Sequence, residues 1–238
     1  MAEAKQIKSK KRVADHGEVF TSEREVNAML DLVKQETERI DSRFLEPACG
    51  DGNFLAEILR RKLAVVKRQY GKSPLDYEKY AVTAATSIYG VDILQDNVEA
   101  CRRRMFDIWD KAYKAACKGE VSEDCRNAVR YIFKLNILCG NALSMKKVDE
   151  NGHDTDEPIM FAEWSFVTKG EVKRKDYRLD VLLIENADDD NYARQFSLFD
   201  EDPTDMSNWM IDPETKEPIP KPTKDYPLVN YRRVQDNG

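Results

Sequence analysis

The sequence predicts an α/β fold in which short parallel strands are joined by helical crossovers. Three observations predict it. Short apolar runs, RFLEPA at 43–48, SIYGVDI at 87–93 and KLNILCGNAL at 134–143, alternate with longer segments of helical periodicity. The first run enters a glycine turn, GDG at 50–52, and the second ends in an acid, Asp92. A length of 238 residues, 41% of them hydrophobic, is enough for one sizeable core.

Each element follows in order. Lys5, Lys8, Lys10, Lys11 and Arg12 make residues 1–14 a basic flexible arm, either a solvated tail or a phosphate-contacting one. EREVNAMLDLVKQETERI, 23–40, places Val26, Met29, Leu30 and Val33 at helical spacing, with Thr21 or Ser22 as its cap. After the first strand and its turn, NFLAEILRRKLAVVKRQY is a helix with Phe54, Leu55, Ile58, Leu59 and Leu63 inward. A further helix over 75–86 leads to the second strand, then a long helix over 94–116 and a short one near 122–133 lead to the third. Residues 144–178 break the rhythm as an insertion, a polar turn region followed by a hairpin around Lys169 and Gly170. RLDVLLIEN supplies a fourth strand, and 187–238 has the composition of an acidic, proline-rich tail.

Bulk properties narrow the function classes. A net charge of −6 argues against a general nucleic-acid binder, although RRR at 102–104 forms a second basic cluster. No apolar run approaches the roughly 20 residues of a membrane span, and no apolar stretch follows the basic N-terminus as in a secretory signal. Five cysteines without CxxC pairs fit reduced thiols in a cytoplasmic protein, and two histidines argue against a metal centre.

The glycine turn carries the chemistry. Glycines tolerate positive φ and remove side-chain bulk, so a cofactor can lie against backbone. The turn alone is weak evidence, since helix caps also use glycine. Asp92 is the kind of strand-end carboxylate that holds ribose hydroxyls, or it is only a helix cap. It lies some forty residues beyond Gly52, against the ~20 of a dinucleotide fold, and the extra helix accounts for the gap.

FLEPACGDGNF at 44–54 resembles the S-adenosylmethionine (SAM) binding motif of DNA adenine-N6 methyltransferases of restriction–modification systems. DHGEVFTS at 15–22 is similar to that family's upstream motif. The resemblance covers roughly residues 12–186 and implies, over 15–186, a Rossmann-like SAM-dependent methyltransferase domain with S-adenosyl-L-methionine as cofactor. It implies that Phe20 and Thr21 contact the methionine part, and that Glu46, Ala48, Gly50 and Gly52 form the turn beneath the cofactor. Asp92 would hold the ribose and Ile93 would pack on the adenine. Asn141 stands where the family has aspartate, and its carbonyl oxygen can still accept from the adenine amine.

The fourth strand departs from the family pattern. There it ends in Asn/Asp-Pro-Pro-Tyr/Phe, whose polar oxygens face the target amine and whose ring stacks on the flipped base. Here Asn186 holds the first position, but ADD follows, and Tyr192 is the nearest ring. Three acids at 188–190 would repel a phosphate backbone. No strand–helix units follow, so the fold is expected to be incomplete at its C-terminal half, with an apolar strand edge that needs a partner. The leading expectation is a DNA methyltransferase, or its modification subunit, working with a companion methyltransferase or specificity chain. An inactive SAM-binding or scaffolding module is the second reading, and methylation of RNA or protein a third.

Overall fold

Ser22 opens the first long helix. Its hydroxyl accepts from the Glu25 amide while the Glu25 carboxylate accepts from the Ser22 amide, a reciprocal cap that satisfies two otherwise orphaned donors. The computed structural model describes residues 9–16, 18, 21–167, 170–184, 208–216 and 218–237. It begins with α1 (Lys10–His16), α2 (Glu23–Leu32) and the single turn α3 (Lys34–Thr37), followed by β1 (Phe44–Glu46). Two crossover helices, α4 (Asn53–Tyr70) and α5 (Pro74–Thr86), lead to β2 (Ile88–Asp92). Two more, α6 (Gln95–Cys117) and α7 (Glu123–Asn136), lead to β3 (Ile137–Cys139).

These three strands form a parallel sheet of order β1-β2-β3. Phe44 lies opposite Ile88, and Gly90 opposite Ile137. Side chains alternate across the sheet, so β2 feeds two cores. Ile88 joins the large helical core with Leu55, Leu59, Trp109 and Phe133, while Tyr89 and Val91 join a smaller one with Ile159, Phe161 and Leu179. The amphipathic helices cover the first face because their apolar residues recur every three or four positions.

The second face is covered by residues after the sheet. β4 (Lys146–Val148) pairs with β5 (Asp154–Pro158), and β6 (Met160–Phe166) with β7 (Glu171–Arg178), both antiparallel. Gly170, at φ +77°, lies in the β6–β7 connection, where a left-handed residue is needed. The Tyr89 hydroxyl donates to the Ala162 carbonyl at 3.0 Å and ties this hairpin to the sheet.

Two expectations are corrected. LDVLLI is not a fourth strand. Leu179–Ile184 forms a helix, α8, directly after β7. Leu179, Leu182 and Leu183 recur at helical spacing along one groove, Arg178 pairs with Asp180, and Asp180 accepts from the Val181 amide in the first turn. A short apolar run carries no periodicity that separates the two states, so the sequence alone does not decide between them. The C-terminal region is also more than a tail. β8 (Trp209–Ile211) pairs with β9 (Pro218–Pro220), while β10 (Lys224–Asp225) and β11 (Val229–Asn230) both pair with β7. A 3-10 segment, Tyr231–Asn237, then packs on α7. It is held by Glu78, 1% exposed, which accepts from the hydroxyls of Tyr113 and Tyr231 and from Arg232 Nε. The acid is 153 residues from Tyr231 in sequence.

The basic residues of the arm and cluster are partly committed. Arg12, on α1, is bound to Asp96 and Glu18. Arg102 donates to the Ile137 carbonyl at 2.8 Å and Arg104 to Asn53 Oδ1 at 2.7 Å. Among the described residues, no helix is long and apolar enough to cross a membrane.

Candidate functional site

β1 delivers the chain into its turn at the carboxyl end of the sheet. Pro47 cannot donate a backbone bond, so pairing ends there. The Cys49 amide then donates to the Val91 carbonyl at 2.9 Å, and Gly50 and Gly52 adopt φ of +53° and +91°. Both values lie in the left-handed region that glycine occupies without strain. The Gly52 amide closes the turn onto the Cys49 carbonyl at 2.8 Å, and α4 begins one residue later. A side chain at Gly52 would place its Cβ 2.6 Å from Cys101 Sγ on α6. This glycine therefore lets α6 approach the turn from inside, and the bulk it avoids is protein.

Asp92, at the end of β2, fastens the turn. Its Oδ2 accepts from the Gly50 amide at 2.9 Å, and its Oδ1 accepts from the Leu94 amide at 2.9 Å and Asn97 Nδ2 at 3.1 Å. A carboxylate has about four acceptor positions, so three are engaged and Oδ2 keeps one for an incoming hydroxyl. The cap and ligand roles are thus compatible in one residue.

Asn97 is a neighbour of Asp92 that sequence reasoning missed. It is 1% exposed, and it also donates to Glu18 Oε1 at 2.7 Å. Arg12 donates to Asp96 Oδ2 at 2.6 Å, to Glu18 Oε1 at 2.8 Å and to Asn97 Oδ1 at 3.2 Å. The hydrogen bond to Asp96 raises the Arg12 guanidinium above its ordinary range. The N-terminal segment is thereby linked through Asn97 to Asp92. The only available signal was a buried-type spacing, an asparagine five residues after the strand-end acid.

The other expected residues fall around this centre. Glu46 is half-buried, and burial raises its carboxyl above the usual range while the Ala48 amide opposes the shift. Ala48 is exposed and Ile93 half-buried beside the turn. Thr21 is brought to the turn through its carbonyl, which accepts from Asn53 Nδ2 at 3.1 Å at the start of α4. Asn141 follows Gly140, whose amide donates to the Asp92 carbonyl at 3.0 Å. Its side chain turns toward its own loop: Nδ2 donates to Asp154 Oδ1 and Oδ1 accepts from the Leu143 amide, both at 3.0 Å. An aspartate there would set two carboxylates against each other, which accounts for the amide. Phe20 and Asn186, like Tyr192, lie outside the described residues.

The Cys101 neighbour and burial both push the Cys49 thiol up, which disfavours the thiolate. Two grooves are elsewhere. One of about 320 Å³ runs beside β1, and one of about 210 Å³ lies between β3 and β6. Neither is lined by Gly50, Gly52 or Asp92. Among the described residues the turn presents backbone groups and the half-buried carboxylate of Asp92, which can accept from a hydroxyl donor. Compared with protein-family models, with curated proteins and with solved structures, the chain matches none.

Proposed function

We propose that this chain binds S-adenosylmethionine and serves as a SAM-dependent DNA adenine-N6 methyltransferase, or its modification subunit, in a restriction–modification system. The observation that carries the reading is the pair formed by the glycine turn and Asp92. Two left-handed glycines stand at the carboxyl end of β1, and the first of them, Gly50, donates its amide directly to the carboxylate at the end of β2, with one acceptor position left on Oδ2. In open α/β sheets ligands lie outside the carboxyl ends of strands.

The residues present fit the cofactor. Asp92 Oδ2 would accept from the ribose, Ile93 would cover one adenine face, and Gly50 and Ala48 would let the ligand approach backbone. Thr21, Glu46 and Gly52 shape the turn from its rim, and Phe20 would meet the methionine part. When bound, SAM supplies an activated methyl group. Asn141 retains one lone pair on its amide oxygen for the adenine amine. Asn186 is the residue we assign to the target amine, where its oxygen would orient the nitrogen and no general base is needed.

A second reading, an inactive SAM-binding or scaffolding module, is favoured by ADD after Asn186 in place of the two prolines and ring. Titration of the chain with SAM tests what the two readings share. A methyl-transfer assay on DNA, with and without a companion chain, separates them.

A further inference from the structure

The parallel sheet stops on the wrong side of its own site. β1, the strand that feeds the glycine turn, is an edge strand among the described residues. Both crossovers, β1 to β2 and β2 to β3, move the chain in the same direction along the sheet. Ligand crevices in such sheets form where strand order reverses, because only there do adjacent connections part. No reversal occurs within β1-β2-β3. A strand on the other side of β1 would create one beside Glu46 and the glycine turn.

The edge is equipped to take it. The Phe44 amide donates to the Ser87 carbonyl at 2.9 Å, so Phe44 and Glu46 turn their backbone groups toward β2. The intervening Leu45 therefore turns its N–H and C=O outward. Its side chain, 40% exposed, borders the groove of about 320 Å³, with Phe161, Leu182, Leu183 and Ile219 on the facing walls. The lining is mostly apolar and also holds the Arg43–Glu163 ion pair, so it favours apolar side chains.

This chain's own candidates are poor occupants. Leu179–Ile184 is the wall itself, as α8. Residues 185–207 contain eight Asp and Glu residues and a single β-branched residue, Thr204, and their one apolar cluster, Phe196, Leu198 and Phe199, runs straight into Asp200, Glu201 and Asp202, which would bring three acids to the carboxyl end of such a strand, beside Glu46. A second copy would bring the same segments.

We propose that a short, apolar, β-branched strand of a companion polypeptide adds parallel to β1, filling the groove and placing its carboxyl end beside the glycine turn. This rests on the methyltransferase reading and deepens it. The companion would supply the side of the crevice from which a substrate base is presented. Affinity in such additions comes from main-chain bonds, and specificity from alternate side chains.

The test uses the full chain and a defined probe, an acetylated and amidated peptide with a Val-Ile-Val-Ile core flanked by lysines. In the chain alone, the Leu45 amide should exchange with solvent far faster than those of Phe44 and Glu46. The peptide should bind saturably and slow Leu45 exchange. Leu45→Pro removes that outward N–H and none of the bonds to β2, so it should abolish peptide binding and leave the melting temperature and SAM affinity unchanged. Ile219→Asp should weaken peptide binding by charging the groove wall. A Leu45 amide already protected in the chain alone overturns the proposal, and protection that grows with protein concentration assigns the slot to a second copy instead. Absence of peptide binding at millimolar concentration, or binding undiminished in Leu45→Pro, also overturns it. Peptide binding without SAM binding would remove the cofactor reading and leave the strand site standing.

Discussion

Replacing Asp92 tests how far one carboxylate holds the turn together. Asp92→Ala deprives the Gly50 amide, the Leu94 amide and Asn97 Nδ2 of their acceptor. Hydrogen bonds to a charged group contribute about 1.5–3 kcal/mol when one partner is removed. Asp92 is only half-buried, so water recovers part of the loss, and a net cost of about 2–3 kcal/mol is expected. In a chain of this size each kcal/mol moves the melting temperature by about 2–4 °C, giving a fall of about 4–12 °C. Asp92→Asn separates the contributions. Its one carbonyl can serve either Gly50 or the Leu94–Asn97 pair, and the amide then meets a donor on the other side. Stability should therefore fall in the order wild type, Asn, Ala, measured by thermal unfolding without ligand. An Ala variant that melts with the wild type refutes the reasoning, as does an Asn variant no better than Ala.

Two further outcomes follow from buried contacts. Lys62 is fully buried, with its ammonium donating to the carbonyls of Ile40 and Ser42 and to Ser87 Oγ; Lys62→Met should cost about 2–4 kcal/mol by stranding these acceptors, seen in denaturant midpoints. Burial pulls Lys62 from 10.5 down to about 7, so the unfolded chain binds the extra proton between those values. Stability of the wild type relative to Lys62→Met should then rise with pH across that window, by at most about 1.4 kcal/mol per unit, and parallel pH profiles would contradict the assignment. Gly52→Ala should destabilise by about 1–3 kcal/mol, from its positive φ and the Cys101 clash. Adding Cys101→Ala should restore part of this, and no restoration would show that strain alone is responsible.

The parts legible in the sequence were those written in local signals. The strand–glycine–helix unit at 44–70, the capped helix after Ser22 and the acid ending β2 each carry their pattern within a few residues. LDVLLI was not legible, because six residues rich in leucine fit both periods and no local signal separates them. The C-terminal segment was hidden for another reason. Pro and Asp content resembles a tail, yet Tyr231 and Arg232 are anchored by Glu78, a contact no local pattern encodes. At the site, the turn and Asp92 could be read, whereas the Arg12–Glu18–Asn97 chain leading to Asp92 could not. Lys62 was equally hidden, since a lysine within an apolar helix stripe ordinarily reaches water.

The central claim is that the glycine turn and Asp92 form a cofactor site, and direct titration of the purified chain with SAM tests it most plainly. The account predicts saturable binding of one SAM per chain, with a stabilisation of about 2.7 kcal/mol when ligand exceeds its dissociation constant a hundredfold. Unfolding midpoints should rise accordingly, and the Gly50 and Leu94 amides should exchange more slowly with ligand present. A calorimetric trace without heat at millimolar SAM, together with an unchanged unfolding midpoint, would contradict it.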